Sequence, residues 1–400
     1  MSKHRTVIDA ALAGAGLVRQ SLDALYNAIT GLGAGQSFGV ELDQYVPYNA
    51  LLTIYRQETY ARRAVDLPVK DAWAKGYRII RPDGRDEFYS PEWAAERKRL
   101  KLQKLIPRAV QYARMGRAAY LVAITLDGSS PDRPLDLATL KRVDQFVLLS
   151  AGECRPHRLA LTTGPGSDPN DDAPADFAAP ETYLAYIPRP MQTALKGVPA
   201  AWAKALAGQT PIHASRIVRV VNGNLTLSES YSQPEEGESL IGIIFRVLAQ
   251  HATLDAAAAT LATEMRQHIV TIENMQAIKA SNQSEAFTER MRLFAQSKTV
   301  ANLILLGKGE KFESATGSVG GFDTLSQTTR DALCAATGIP ESIFFPKASG
   351  GMGGEPGIDA EVYVALLRDI WDDLLGPAVA DVRHLLVAQK NGPWRGIGYK

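Results

Sequence analysis

The chain has 400 residues, 46% of them hydrophobic and 22% charged, which excludes a disordered or collagen-like polymer and predicts about two to four structural units. Lys and Arg total 44 against 43 Asp and Glu, so a net charge of +1 excludes tight binding of a polyanion over the whole surface, and any basic function has to be local. Cys154 and Cys334 are the only cysteines, too few for a disulfide scaffold or a thiolate metal site and suited to a reducing compartment.

The first residues include Arg and Asp and have no continuous apolar run, so a secreted chain is not expected. Ile8, Leu12, Leu17, Leu22 and Leu25 keep helical spacing up to the GLGAG loop at 31–35. From Tyr45 to Tyr77, the positions Leu51, Ile54, Tyr55, Ala61, Val65, Val69 and Trp73 predict one face of a helix broken near Pro68. Ser90-Pro91 predicts the start of a further helix that runs on through EWAAERKRLKLQKLI. The segments 118–125, 143–149, 182–187 and 216–223 read as strands, so this half is mixed α/β. A loop rich in Gly, Pro and Asp lies between Thr162 and Pro180.

In the second half, Ser239 predicts the cap of an unbroken helix to Met265, with an alanine block from Ala256 to Ala259 where neighbouring helices can approach closely. Arg246, His251 and Asp255 interrupt its apolar surface, so it is not expected to cross a bilayer. A strand at 268–274, a helix at 284–296, a strand at 302–307 and an extended piece at EKFESAT form an α/β insert of about fifty residues. A helix then runs from its cap Asp323 to its stop Gly338. The glycine-rich IFFPKASGGMGGEPG follows, and a final helix from Ile358 to Ala388 has a kink at Gly376-Pro377.

The candidates for chemistry are weak. Neither SGGMGGEPG nor GLGAGQ completes a phosphate-binding glycine pattern. Asp168, Asn170 and Asp172 alternate as in a calcium loop, but the Gly and Glu that such a loop needs later are missing, so a solvated acidic loop is the expectation. Three histidines, His4, His213 and His251, stand in H-x-[ST] form, the pattern that two-histidine phosphodiesterases use in pairs. Only His213 has strand context, and one motif does not make a pair. Asp369, Asp372 and Asp373 share a helix face and read as solvated. The local charge excess runs from Arg56 to Arg117, and it suits an acidic partner, a nucleic acid or a subunit contact.

The order of the segments resembles the portal proteins of tailed bacteriophages. The resemblance rests on YRQETYARRAVDLPVKDAWAKGYRI, on HASRIVRVVNG before the long helix, on the Gly-Glu-Ser entry and the alanine-rich helix, on ATGIPESIFF, and on the glycine-rich loop before a long kinked helix. It covers roughly residues 45–388. The fold it implies is α+β and portal-like. An N-terminal segment (1–44) precedes the wing (45–237), a stem helix (239–265), a small α/β clip (266–321), a returning stem helix (323–338), a tunnel loop (345–357), a long wing helix (358–388) and a short tail (389–400) with little room for a crown.

The resemblance implies a structural protein of the virion with no active site and no cofactor. It would form a ring, usually a dodecamer, at one capsid vertex and act as head-tail connector. Double-stranded DNA would pass through its channel in packaging and ejection. The terminase large subunit, a head-tail adaptor and the major capsid protein would dock on it, and no membrane would be involved. Carried onto this sequence, the DNA-facing loop is Lys347, Ser349, Gly350, Gly351, Met352, Gly353 and Gly354. Stem packing falls to Ala256, Ala257, Ala258 and Ala259, and docking at the clip to Arg266, Lys279, Arg290 and Arg292. The alternatives are a two-histidine phosphodiesterase built on His213, or a nucleic-acid-binding adaptor that uses residues 56–117.

Overall fold

A computed structural model of the chain describes residues 46–74, 91–159, 180–187, 198–223, 237–264, 266–271, 311–316, 322–345 and 356–392. The chain divides into one unit of residues 1–249 and 331–400 and a second of residues 250–330.

The first unit is built on strand β1 (Ala118–Leu126), where eight consecutive residues from Ala118 to Thr125 are buried. Successive side chains on a strand point to opposite faces, so this run has to be covered twice. One set, Ala119, Leu121 and Ala123, joins the large core formed with helices. The other, Ala118, Tyr120, Val122 and Ile124, joins a smaller core. β2 (Arg142–Ser150) and β6 (Ile217–Val221) flank β1, both antiparallel, in the order β2-β1-β6. β3 (Cys154–Leu159), β4 (Pro180–Ala185) and the two-residue β5 (Ile212–His213) form a second antiparallel sheet. From it and from α5 (Ala200–Leu206), Tyr183 and Trp202 fill the smaller core, with the Tyr120 and Tyr183 rings 5.2 Å apart.

The helical layer opens with α1 (Tyr48–Gln57) and α2 (Thr59–Ala74). α3 (Pro91–Arg99) and α4 (Leu102–Gly116) follow, and α4 buries Ile106, Ala109, Val110 and Ala113 at the 3–4 spacing of one helix face. Ser239 opens α6 (Leu240–Glu264) by accepting the Gly242 N–H at 3.1 Å, while its own hydroxyl donates to the Met115 carbonyl. The first turns of α6 bury Leu240, Ile241, Ile244, Phe245 and Leu248 in the large core. α7 (Phe322–Thr337) stops at Gly338, whose φ of +68° favours glycine, and the short α8 (Glu341–Phe344) follows. α9 (Pro356–Ile370), a π turn (Trp371–Leu375) and α10 (Gly376–Val387) complete the layer. α9 is fastened to α2 by Tyr363, whose hydroxyl donates to Asp71 at 2.6 Å, and Trp371 stacks on Trp73 with ring centres 6.4 Å apart.

In the second unit the described parts are the ends of α6 and α7 and the antiparallel pair β7 (Arg266–Thr271) and β8 (Lys311–Thr316). The expected helix at 284–296 and strand at 302–307 lie outside the described residues, as do the expected helix at 8–30 and the acidic loop with Asp168, Asn170 and Asp172.

The structure corrects several expectations. The break in the first helical segment is at Glu58, whose backbone is extended (φ −91°, ψ 119°), while Pro68 sits buried inside α2. The helix that starts at Pro91 ends at Arg99, and Lys101 takes a left-handed φ of 55° before α4 begins. Asp323 lies in the first turn of α7 instead of capping it, and β7 starts two residues before the expected strand. The discontinuity of the last helix is a π turn placed just ahead of Pro377, which has no N–H to give to an ordinary helical bond. Over Leu240–Ala258 α6 is, by length and composition alone, apolar enough to cross a bilayer, with a mean hydropathy of 1.3, despite Arg246, His251 and Asp255. Its share of the large core accounts for the apolar character of its first turns.

One close approach ties helix and sheet together. The Tyr48 ring lies against the backbone at both Gly116 and Gly152, where a methyl group would overlap it on either side. Gly152→Ala is expected to lower stability by about 1–3 kcal/mol through overpacking, read as a fall in the urea midpoint at unchanged slope, and Tyr48→Ala in the same chain should relieve the overlap.

Candidate functional site

The segment HASR, singled out in the sequence, closes a latch. Arg216 is 0% exposed. A guanidinium at such a site is stable only when its donors are met. Nε donates to the Arg133 carbonyl at 3.0 Å, Nη1 to the Thr125 hydroxyl, and Nη2 to Asp127 at 2.8 Å and to Ser129. The hydroxyls of Ser129 and Thr125 donate in turn to Asp127. The Trp202 ring lies 5.9 Å from the guanidinium carbon, and its Nε1 donates to the Thr125 carbonyl at 3.2 Å. The hairpin after β1 is therefore fixed to the strand entry at Ile217.

His213 and Ser215 hold the far side of the same hairpin. The His213 N–H donates to the Pro131 carbonyl at 2.9 Å, and Ser215 Oγ accepts the Leu135 N–H at 2.8 Å. His213 Nδ1 accepts the Ser215 N–H at 3.2 Å and faces Ser215 Oγ at 2.9 Å, which places the ring proton of the neutral form on Nε2. Burial, joined by the Arg216 charge and opposed by Glu181, lowers the His213 pKa, so the ring is neutral at pH 7. This geometry is that of a cap. His251, the second H-x-[ST] histidine within the described residues, is on helix α6 with Nδ1 3.2 Å from Asp255, so it is not a strand-borne partner of the kind the phosphodiesterase pattern needs. His4 lies outside the described residues.

Other candidates fall as follows. Lys347, Ser349, Gly350, Gly351, Met352, Gly353 and Gly354 are all outside the described residues, between Phe345 and the start of α9. Ala256 and Ala258 are half-buried and Ala257 is exposed on α6, whereas Ala259 is described by its helical backbone alone. Arg266 is the first residue of β7, opposite Thr316. Lys279, Arg290 and Arg292 are outside the described residues. Cys334 is a protonated thiol, its pKa pushed up to about 11 by burial and by Glu341, Asp331 and Asp359.

Two charged faces stand apart from the latch. Lys101, just ahead of α4, and Lys104 and Arg108 on it are exposed, and the α4 sequence contains no acid. Asp369, Asp372 and Asp373 are exposed at the end of α9 and in the π turn, as a solvated face requires. Sequence reasoning had named HASR without finding the role of Arg216, because its partners Asp127 and Ser129 are 89 and 87 residues away.

The pattern of a family described as phage portal protein matches residues 49–397. Among solved structures, the neck of a native gene transfer agent particle computed with C12 symmetry is similar at 13% identity and a TM-score of 0.49, over 90% of this chain and 85% of that one. The neck of the empty particle, computed with C6 symmetry, is similar at 12% identity and a TM-score of 0.49, over 91% and 86%. An HK97 family phage portal protein from Corynebacterium diphtheriae is similar at 9% identity and a TM-score of 0.36, over 86% and 89%. No curated protein sequence matches significantly.

The latch makes a pH prediction. Burial pushes the Asp127 carboxyl up, but the hydrogen bonds from Arg216 and Ser129 together outweigh it and hold the group below the usual carboxylate range. A carboxyl depressed in the folded chain adds stability that is present in full above its unfolded pKa of about 4 and is lost as pH falls through its folded value. Asp127→Asn should therefore be less stable than wild type at neutral pH, with the gap narrowing below about pH 4. Arg216→Met should cost about 3–5 kcal/mol at pH 7, because it leaves the carboxylate buried and unpaired. Equal stability of wild type and Asp127→Asn at pH 7 would contradict the assignment.

Proposed function

The chain belongs to the phage portal protein family, and from that membership we propose that it assembles into a closed ring at one capsid vertex of a virion and serves as the channel through which DNA is packaged and ejected. The observation that carries this reading is the family match over residues 49–397, nearly the whole chain. A ring of twelve copies is the form we favour. We assign α6 and α7 to the stem, the second unit to a clip that docks the terminase large subunit and the head-tail adaptor, and residues 345–357 to a loop at the narrowest point of the channel. The rest of the first unit is the wing, set against the major capsid protein.

Physical chemistry supports a conduit. DNA has to move through in both directions, and every neutralised phosphate adds affinity that opposes sliding. The net charge of +1 meets that requirement. Lys347 and Glu355 are the only charged residues in 346–356, so the loop guides a duplex sterically and with weak, easily screened charge. Its glycines let each subunit meet a helical duplex of mismatched symmetry in a different conformation. The protein is a structural component in this reading, and the HASR segment serves its fold.

Two measurements test it. Native mass spectrometry of the purified chain should show a closed ring of a single stoichiometry, and monomers at every concentration would overturn the reading. Replacing Gly350, Gly351, Gly353 and Gly354 with Ala should leave the ring intact and impair DNA packaging or retention, and normal packaging by that variant would remove the loop from the channel.

A further inference from the structure

α9 carries an outward stripe that its own unit leaves uncovered. Ile358 and Val362 are 59% and 51% exposed, four residues apart on one face, and Ala365 and Asp369 continue that face towards Asp372 and Asp373. The opposite face is buried through Tyr363, Leu367, Ile370 and Leu374. The stripe thus changes from apolar to acidic along the chain direction. α4 carries the reverse pattern. Lys101, Lys104 and Arg108 are exposed at its start, and Tyr112, half-buried against the large core with the Arg108 guanidinium 5.6 Å from its ring centre, follows them. Among the described residues none of these three cations or three aspartates has an ion-pair partner.

The charged stretches match in length, since Lys104 to Arg108 and Asp369 to Asp373 each advance four residues, about 6 Å at 1.5 Å per residue. Laid antiparallel, the cations of α4 meet the aspartates of α9 while the exposed part of Tyr112 comes towards Val362. A closed ring needs two different complementary surfaces on each chain, because its contacts are head to tail. We propose that the α4 stripe of one copy packs antiparallel on the α9 stripe of the next copy, as the charge-specified contact of the ring. The inference rests on the ring assembly proposed above and names the surfaces that make it. Its occupant is a second copy, because the stripe of complementary charge is carried by this chain itself.

Charge reversal in the full-length chain tests the pairing. One variant carries Lys101→Glu, Lys104→Glu and Arg108→Glu, another Asp369→Lys, Asp372→Lys and Asp373→Lys, and a third carries all six. Mass photometry should find that each triple variant needs roughly ten- to a hundredfold more protein than wild type to form rings, because like charges then face each other. The sixfold variant should form rings at the wild-type concentration. So should an equimolar mixture of the two triple variants, in which the copies alternate. The pair Lys104→Glu and Asp372→Lys, read alone and mixed, carries the same test if a triple variant does not fold.

Rings from either triple variant at the wild-type concentration would overturn the pairing and leave the ring reading intact. Failure of both the mixture and the sixfold variant would overturn it too. A cationic triple variant that assembles normally but loses binding to a short DNA duplex would assign the α4 stripe to DNA and overturn the pairing. Absence of rings from wild type would instead overturn the reading on which it rests.

Discussion

The burial of β1 on both faces is the constraint on which the rest of the first unit depends. Eight buried residues in a row leave no polar face, so an antiparallel sheet that would ordinarily wet one side must be covered on both. The small residues Ala119 and Ala123 let helices approach on one side, while Tyr120 and Ile124 reach out to the second sheet on the other. Neighbouring elements then have few options. β2 and β6 close the pleat on either side, and α4 lies across the helical face. β6 is also the element through which the chain passes to Ser239 and the long helix, which is fixed to Met115 at the end of α4. The start of α6 is thus set by the same strand.

A second constraint follows from the first. The turn after β1 leaves the sheet beside the smaller core, where a loose hairpin would expose it. Arg216 answers with four hydrogen bonds, to Thr125, Asp127, Ser129 and Arg133, and Trp202 shields the group. Residues that read as catalytic types, a histidine with a serine two positions on and an arginine beside them, are consumed by this task. Charge elsewhere is segregated. The near-zero net value belongs to the whole chain, while α4 carries an exposed cationic face and the end of α9 an acidic one.

Much of this was legible in sequence because the signals were local. Short runs of apolar, β-branched and aromatic residues mark β1, β2, β4 and β6, Ser239 marks the start of α6, Pro91 that of α3 and Gly338 the end of α7. The segments that were missed had no such signal. Lys101 takes a left-handed conformation without being Gly or Asn, so the charge-dense run gave no hint of its break. β3 contains Pro156 and polar residues, and β5 is two residues long, so both exist only because β4 lies between them. Pro68 signals a break by its sequence alone, yet it is buried inside α2, which continues through it. The roles of single residues were the least legible: Arg216 finds its carboxylate 89 residues back in the chain, and no spacing rule reaches that far.

The central claim is that this fold is the repeating part of a DNA-conducting ring. Electron cryomicroscopy of the assembled chain tests it most directly, because it places every element relative to the symmetry axis. The account predicts a closed ring with α6 and α7 beside the channel, the glycine-rich loop nearest the axis, and the latch around Arg216 away from the lumen. Open filaments, isolated dimers, or a ring that carries α6 and α7 on its outer rim would contradict it.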